Sequence, residues 1–112
     1  MAAIAWNVAI VMSGQEFVVG GTSCAAPAVS AILSLLNDVR IANKKPVLGY
    51  AFLTLFYQSS SARGFVPITQ GPANTAGSCQ GFQPAASGGW SPIVGFGGIN
   101  ANRMAAIVAA LK

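Results

Sequence analysis

The chain has 112 residues, of which 54% are hydrophobic and only 7% are charged, and its formal net charge is +4. This length accommodates one small domain with a core but not two. The sequence contains no histidine, which excludes a Ser-His-Asp triad and any histidine metal site within the chain.

The distribution of charge indicates which classes of partner the chain can bind. The cations are scattered, whereas a nucleic-acid-binding surface is clustered, so we expect no nucleic-acid partner and place the cations on solvated helix ends and loops. A surface this poor in charge indicates that part of it is normally covered, either by a partner or by the rest of a larger protein.

The first segment is predicted to form a hairpin. Residues 4–12 are rich in Ile, Val and Trp and predict a buried strand, Ser13-Gly14-Gln15 predicts a turn, and residues 16–19 predict a short return strand. Residues 1–12 lack the basic flank of a secretory signal. No apolar run reaches the ~20 residues of a membrane span, so none is expected.

A long helix is predicted from about Ser23 to Ile41, after the break at Gly20-Gly21. Thr22 or Ser23 can cap it. Pro27 is predicted to lie in the first turn, where a helix tolerates proline. Residues 43–46 supply the stop. The apolar face of this helix consists of Val29, Ile32, Leu33, Leu36 and Val39.

Two further helical segments are predicted in the rest of the chain. Residues 50–58 are apolar almost all round and are expected to be buried. Residues 62–100 form a long Gly/Pro/Ser-rich loop region, which in a compact domain is usually functional or held by something. The last helix covers residues 101–111, and its apolar face consists of Met104, Ile107, Val108 and Leu111.

Ser23 is the candidate nucleophile. A serine between a strand and a helix exposes its hydroxyl above the helix N-terminus, where backbone N–H groups and the helix dipole favour developing negative charge. The alternative is a helix-capping serine without chemistry. Cys24 is expected to be a small buried thiol, and Cys79 a loop thiol that pairs either with Cys24 or with sequence outside the chain.

Three stretches in order resemble the C-terminal part of the catalytic domain of sedolisins, the serine-carboxyl peptidases that include tripeptidyl peptidases. Residues 20–27 match the nucleophile motif, Gly-Thr-Ser followed by small residues and proline. Residues 35–40, followed by Leu48-Gly49-Tyr50, form the second stretch. The third comprises residues 64–69 and 89–97. The resemblance implies that residues 1–112 are the C-terminal segment of a subtilisin-like α/β domain, with a parallel sheet flanked by helices and a long irregular loop before the last helix.

By this resemblance, Ser23 forms the acyl-enzyme, in a nucleophile and oxyanion loop that also contains Gly21 and Thr22. The family's base glutamate, its orienting aspartate and its oxyanion aspartate precede the nucleophile motif, in sequence that this chain does not contain. Glu16 is expected in the hairpin turn and Asp38 roughly 20 Å along the helix, so neither replaces them.

The resemblance also implies the setting of the complete enzyme. Its substrate is a peptide or protein, its working pH is acidic, and its compartment is extracellular or resembles a lysosome or vacuole. The segment packs against the N-terminal part of the domain. Two alternatives stand beside this hypothesis: an inactive remnant or pseudoenzyme with a structural or interaction role, and an unrelated small α/β binding domain, which the three ordered matches disfavour.

Sedolisins bind one calcium ion through two aspartates and several backbone carbonyls. The corresponding positions here are Pro67, Ile68, Ser87, Gly89 and Ser91, where Pro67 and Ser91 replace the two aspartates. Calcium affinity falls with the charge of the ligand set, so we expect no tight calcium binding.

Overall fold

The computed structural model describes residues 1–51, 63–71, 81–82 and 89–112. Most of the predicted helical segment 50–58, and much of the loop region 62–100, therefore lie outside the described residues. The elements in chain order are β1 (Val8–Met12), β2 (Gln15–Val19), α1 (Thr22–Ala42), a 3-10 helix (Gly49–Ala51), β3 (Phe65–Val66), β4 (Gly98–Ile99) and α2 (Ala101–Ala110).

The predicted hairpin is confirmed, with different boundaries. β1 and β2 pair antiparallel, with Val8 opposite Val19 and Met12 opposite Gln15. Only Ser13 and Gly14 form the turn, with φ values of 53° and 77°, and this left-handed geometry matches the twist of the two strands. The expectation of a buried first strand is wrong: β1 is exposed from its second residue onward, because the strands pair with each other while the helices pack elsewhere.

The core lies between α1 and α2. Leu36 of α1, Met104 and Val108 of α2, and Phe65 of β3 are the buried apolar residues of the described chain. The predicted apolar face of the last helix is thereby confirmed, although the helix ends at Ala110 and not at residue 111. Partly buried residues packed around this core include Ile32, Leu33, Val39, Leu48, Phe96, Ile99, Ile107 and Leu111.

The two helices begin differently. Gly21 precedes α1 as its N-cap, and no side chain caps this end, so the prediction of a Thr22 or Ser23 cap is wrong. Both residues lie inside the helix because the Gly21 carbonyl already accepts the Cys24 N–H, at 2.9 Å. α2 has a side-chain cap: the Asn100 Oδ1 accepts the Arg103 N–H at 3.1 Å.

The second sheet is small. β3 and β4 pair antiparallel, with Phe65 opposite Ile99 and Val66 opposite Gly98. Ala2 adds a single parallel bridge to Gly98, and its N–H donates to the Gly97 carbonyl at 2.8 Å. Both sheets in the described part of the chain are antiparallel, and the parallel sheet flanked by helices stays a prediction.

Arg40 corrects the expectation that every cation is solvated. It is only 4% exposed. Its guanidinium donates to the carbonyl oxygens of Pro46 at 2.5 Å and Val108 at 2.9 Å, and more weakly to those of Leu111 and Lys112, both at 3.5 Å. Because the last carbonyls of a helix lack intrahelical donors and carry the negative end of the dipole, this cation stabilises the end of α2.

Lys45 adds a second cation at the same place. Its ammonium donates to the carbonyl oxygens of Ala109 and Leu111, at 2.6 Å each. The residues predicted to stop α1 therefore do more than end that helix, since Lys45 among them also binds the end of α2.

α1 is the helix of the described residues that is long and apolar enough, by length and composition, to cross a membrane. The core helix of a soluble protein passes the same test, so this property does not by itself indicate a membrane span.

Candidate active site at the start of α1

Ser23 is the second residue of α1 and is exposed. In the first turn the Cys24 N–H donates to the Gly21 carbonyl, whereas the N–H groups of Thr22 and Ser23 have no partner within the helix. The first turn of α1 contains no acidic residue. The positive end of the helix dipole is therefore not neutralised locally. A hydroxyl at this position, with amide donors beside it, suits a nucleophile that generates an oxyanion.

Pro27 lies inside α1 as its sixth residue, so the prediction that it falls in the first turn is wrong. The reason is the earlier start of the helix, at Thr22. Because proline has no N–H, the usual helical hydrogen bond to the carbonyl of Ser23, four residues earlier, is missing. The backbone at Ser23, the candidate nucleophile, is thus less constrained by the helix that carries it.

Two glycines bring the chain into this first turn past a close neighbour. The Gly21 N–H donates to the Ala5 carbonyl at 2.6 Å. Gly21 has a φ of 151°, which residues other than glycine rarely adopt. A Cβ on Gly20 would overlap the indole ring of Trp6. Only glycine fits at Gly20 while Trp6 holds this position. Sequence reasoning missed this contact, although β1 and β2 in register bring residues 6 and 20 to the same end of the hairpin.

The two carboxylates of the chain do not meet Ser23. Asp38 lies on the same continuous helix, ~22 Å further along the axis at 1.5 Å per residue. Glu16 lies opposite Val11 in β2, within the predicted return strand over residues 16–19, and not in the hairpin turn, because the turn has only two residues. About 10 Å of strand separates Glu16 from Val19, where β2 ends. Asp38 is therefore out of hydrogen-bond reach of Ser23, and the described residues show no hydrogen bond between Glu16 and Ser23.

Cys24 follows Ser23 and is a free cysteine of intermediate burial. The prediction of a small thiol packed in this segment is thus met in part. Cys79 lies outside the described residues.

The positions that correspond to calcium ligands are only partly described. Pro67 and Ile68 directly follow β3 and are exposed, as is Gly89, whereas Ser87 lies outside the described residues. Ser91 is buried, and its Oγ accepts the Ile93 N–H at 3.2 Å. Within the described ranges, no group of three His, Cys, Asp or Glu side chains is placed to hold a metal ion. The corresponding positions bring no carboxylate, and the Ser91 hydroxyl accepts a hydrogen bond within its own turn. Weak calcium binding stays a prediction.

Comparison with known proteins adds relatives but no fold. No family model matches the chain. No solved structure matches it. Curated relatives are tripeptidyl-peptidase sed1 of Aspergillus fumigatus (40% identical over 97 residues, 87% of this chain and 14% of that protein) and probable tripeptidyl-peptidase SED3 of Trichophyton verrucosum (38% over 112 residues, 91% and 18%). Tripeptidyl-peptidase SED2 of Arthroderma otae is 37% identical over 105 residues, covering 81% of this chain and 17% of that protein.

The chain is homologous to tripeptidyl-peptidases. The resemblance found in the sequence is confirmed at this level. The chain spans about a sixth of the length of these relatives, so the activity of a whole peptidase does not transfer to it directly.

Proposed function

We propose that the chain is the nucleophile-bearing segment of a sedolisin-type serine peptidase, with Ser23 as the nucleophile. The observation that carries the proposal is the exposed Ser23 in the open first turn of α1, in a chain homologous to tripeptidyl-peptidases. The proposed fold is the subtilisin-like α/β domain, of which residues 1–112 form the C-terminal segment.

In the proposed reaction, the Ser23 Oγ attacks the carbonyl carbon of a peptide bond while a glutamate takes the hydroxyl proton. Backbone N–H groups near Gly21, Thr22 and Ser23, with an aspartic acid, stabilise the oxyanion of the tetrahedral intermediate. The glutamic acid returns the proton to the leaving amine, and water then hydrolyses the acyl-enzyme. The glutamate, its orienting aspartate and the oxyanion aspartate come from polypeptide outside these 112 residues.

The exposed hairpin supports the proposal that the chain packs against the rest of such a domain. Val11 is 72% exposed and Val18 is 69% exposed, and an isolated two-stranded hairpin is marginally stable in water. Apolar surface of this kind marks an interaction site. Amide hydrogen exchange over residues 8–19 should be slower in the complete polypeptide than in the 112-residue chain, and equal rates would contradict the packing.

Three further features belong to the proposal. A carboxylate base and an aspartic acid in the oxyanion hole imply an acidic working pH. Secretion or a lysosome-like or vacuole-like compartment suits that pH. Calcium is bound weakly, because Pro67 and Ser91 bring no charge to the ligand set. Calorimetric titration with calcium tests this last point, and micromolar affinity would refute it.

The nucleophile is tested by covalent labelling. The complete polypeptide encoded by the gene is treated with a fluorophosphonate probe at acidic and neutral pH, alongside Ser23→Ala and the control Ser30→Ala, an exposed serine on the same helix. We expect labelling at acidic pH that Ser23→Ala abolishes and Ser30→Ala preserves. Labelling that persists in Ser23→Ala would refute the assignment.

A second candidate function is an inactive remnant or pseudoenzyme with a structural or interaction role. The observation that favours it is the distance of Glu16 and Asp38 from Ser23 along their elements. Absence of labelling in the folded complete polypeptide would favour this candidate over the peptidase.

A further inference from the structure

Trp6 has an unusual combination of exposure and close contact. Its side chain is 76% exposed, yet its ring lies so close to Gly20 that a Cβ there would overlap the ring atoms Cε3 and Cζ3. The residue before it, Ala5, accepts the Gly21 N–H at 2.6 Å. Two consecutive residues, Ala5 and Trp6, therefore contact the two consecutive glycines that lie directly before α1.

We propose that Trp6 is a positioning residue that, together with the Ala5 carbonyl, clamps Gly20-Gly21 and so fixes where α1 presents the Ser23 hydroxyl. This inference rests on the proposed peptidase function for its consequence, whereas the clamp itself is a property of the fold. Trp6 acts through the backbone of Gly20 and Gly21 and does not touch the reacting atoms.

The need for a clamp follows from the local chemistry. Consecutive glycines have the largest backbone freedom of any residue pair, and a segment built on them is held only by its contacts. The hairpin that precedes them is exposed on both faces, and no side chain caps α1. Asn7 has a φ of 58°, a left-handed bend that directs the chain from Trp6 into β1. This bend separates Trp6 from the regular ladder and leaves its ring over Gly20.

The functional consequence is geometric. Covalent attack requires the nucleophile near 3–3.5 Å from the carbonyl carbon, and a displacement of about 1 Å costs on the order of a hundredfold in rate. A clamp on the segment that leads into α1 controls this displacement without contributing a catalytic group.

The first experiment measures the clamp without activity. Cys24, one residue after Ser23, is a free thiol of intermediate burial and reports on the same turn. Its alkylation by iodoacetamide is followed in the 112-residue chain by peptide mass spectrometry, which separates it from Cys79. We expect Trp6→Ala and Gly20→Ala to raise the alkylation rate about fivefold, through local opening of the turn. The matched control is Trp90→Ala, since Trp90 is also exposed, at 54%.

A double-mutant cycle separates the clamp from general destabilisation. If the Gly20 Cβ acts by displacing the indole ring, Gly20→Ala should have a smaller effect in the Trp6→Ala background than alone. Trp6→Phe keeps a ring over Gly20 and should restore most of the wild-type rate. Additive effects, or a Trp6→Phe variant as reactive as Trp6→Ala, would overturn the proposal.

The second experiment measures fluorophosphonate labelling in the complete polypeptide, resolved into inhibitor affinity and inactivation rate constant. Loss of Ser23 positioning should lower the rate constant in Trp6→Ala about tenfold or more, with affinity changed less than about twofold. Partial unfolding would instead lower the labelled fraction. If the wild-type polypeptide is not labelled, the proposed function fails, and Cys24 alkylation still decides the clamp. Unchanged Cys24 alkylation in Trp6→Ala refutes the clamp, and unchanged labelling in Trp6→Ala refutes its role in positioning Ser23.

Discussion

Replacing Arg40 by methionine should destabilise the chain by about 3 kcal/mol or more. The guanidinium is nearly buried and donates two short hydrogen bonds, to the carbonyls of Pro46 and Val108. A hydrogen bond from a charged donor is worth about 1.5–3 kcal/mol, and the two longer bonds are left out of this figure. Methionine keeps an unbranched apolar side chain as long as the stem of Arg40 up to Nε, so the loss measures chiefly the contacts of the guanidinium.

Urea denaturation followed by far-UV circular dichroism measures this loss. The control is Arg103→Met, which removes the same charge from an exposed position in the first turn of α2 and should change the free energy of unfolding by less than about 0.5 kcal/mol. If the free energy of unfolding of the wild-type chain is smaller than this loss, Arg40→Met is unfolded even without urea. If Arg40→Met and Arg103→Met unfold at the same urea concentration, the buried cation does not hold the two helices together.

Two further substitutions test local features by the same denaturation assay. A Cβ on Gly97, which has a φ of 101°, would overlap the Val66 carbonyl oxygen, so Gly97→Ala should cost more than about 3 kcal/mol; Gly81→Ala, with a φ of 84° and open space around it, should cost only about 1–2 kcal/mol. Equal losses would contradict the overlap. Asn100→Ala removes the cap of α2 and should cost about 1 kcal/mol, whereas Asn102→Ala, inside the helix, should be neutral or stabilising; the reverse order would refute the cap.

The features that sequence predicted are those with local causes. The turn at Ser13-Gly14 follows from its glycine, which tolerates positive φ, and α2 follows from apolar residues at helical spacing. The predicted start of α1, at about Ser23, is one residue late because a glycine as well as a side-chain cap can begin a helix, and the sequence offers Thr22 and Ser23 as caps beside Gly21.

The features that sequence missed depend on partners far along the chain. Arginine is usually solvated, so the sequence predicts an exposed Arg40. Its burial depends on the Val108 carbonyl, 68 residues later. Trp6 lies in a segment predicted to be a buried strand, whereas its contact with Gly20 depends on the bend at Asn7. No periodicity or local propensity encodes either contact, since both arise only when separate segments meet.

The wrongly predicted burial of β1 has a different cause. Its apolar residues have the composition of a covered strand, but in the described part of the chain they face neither helix closely enough to be buried. An apolar strand that the described part of the chain leaves uncovered is the pattern that the proposed packing against the rest of a larger domain predicts. The relatives, of which this chain spans about a sixth, supply a reason for that pattern.

The two halves of α1 differ in burial. Its buried residues, Leu36 and Arg40, both lie in the C-terminal half, where α2 packs against it. Ser23 and Thr22, at the other end, are exposed, and the described contacts just before them come from Ala5 and Trp6. The packing within the chain thus secures one end of the helix and leaves the end with the candidate nucleophile open. An acyl-transfer site needs carboxylates and a substrate cleft at that open end, so the exposure of Ser23 is a requirement of the proposed function and not a defect of the fold.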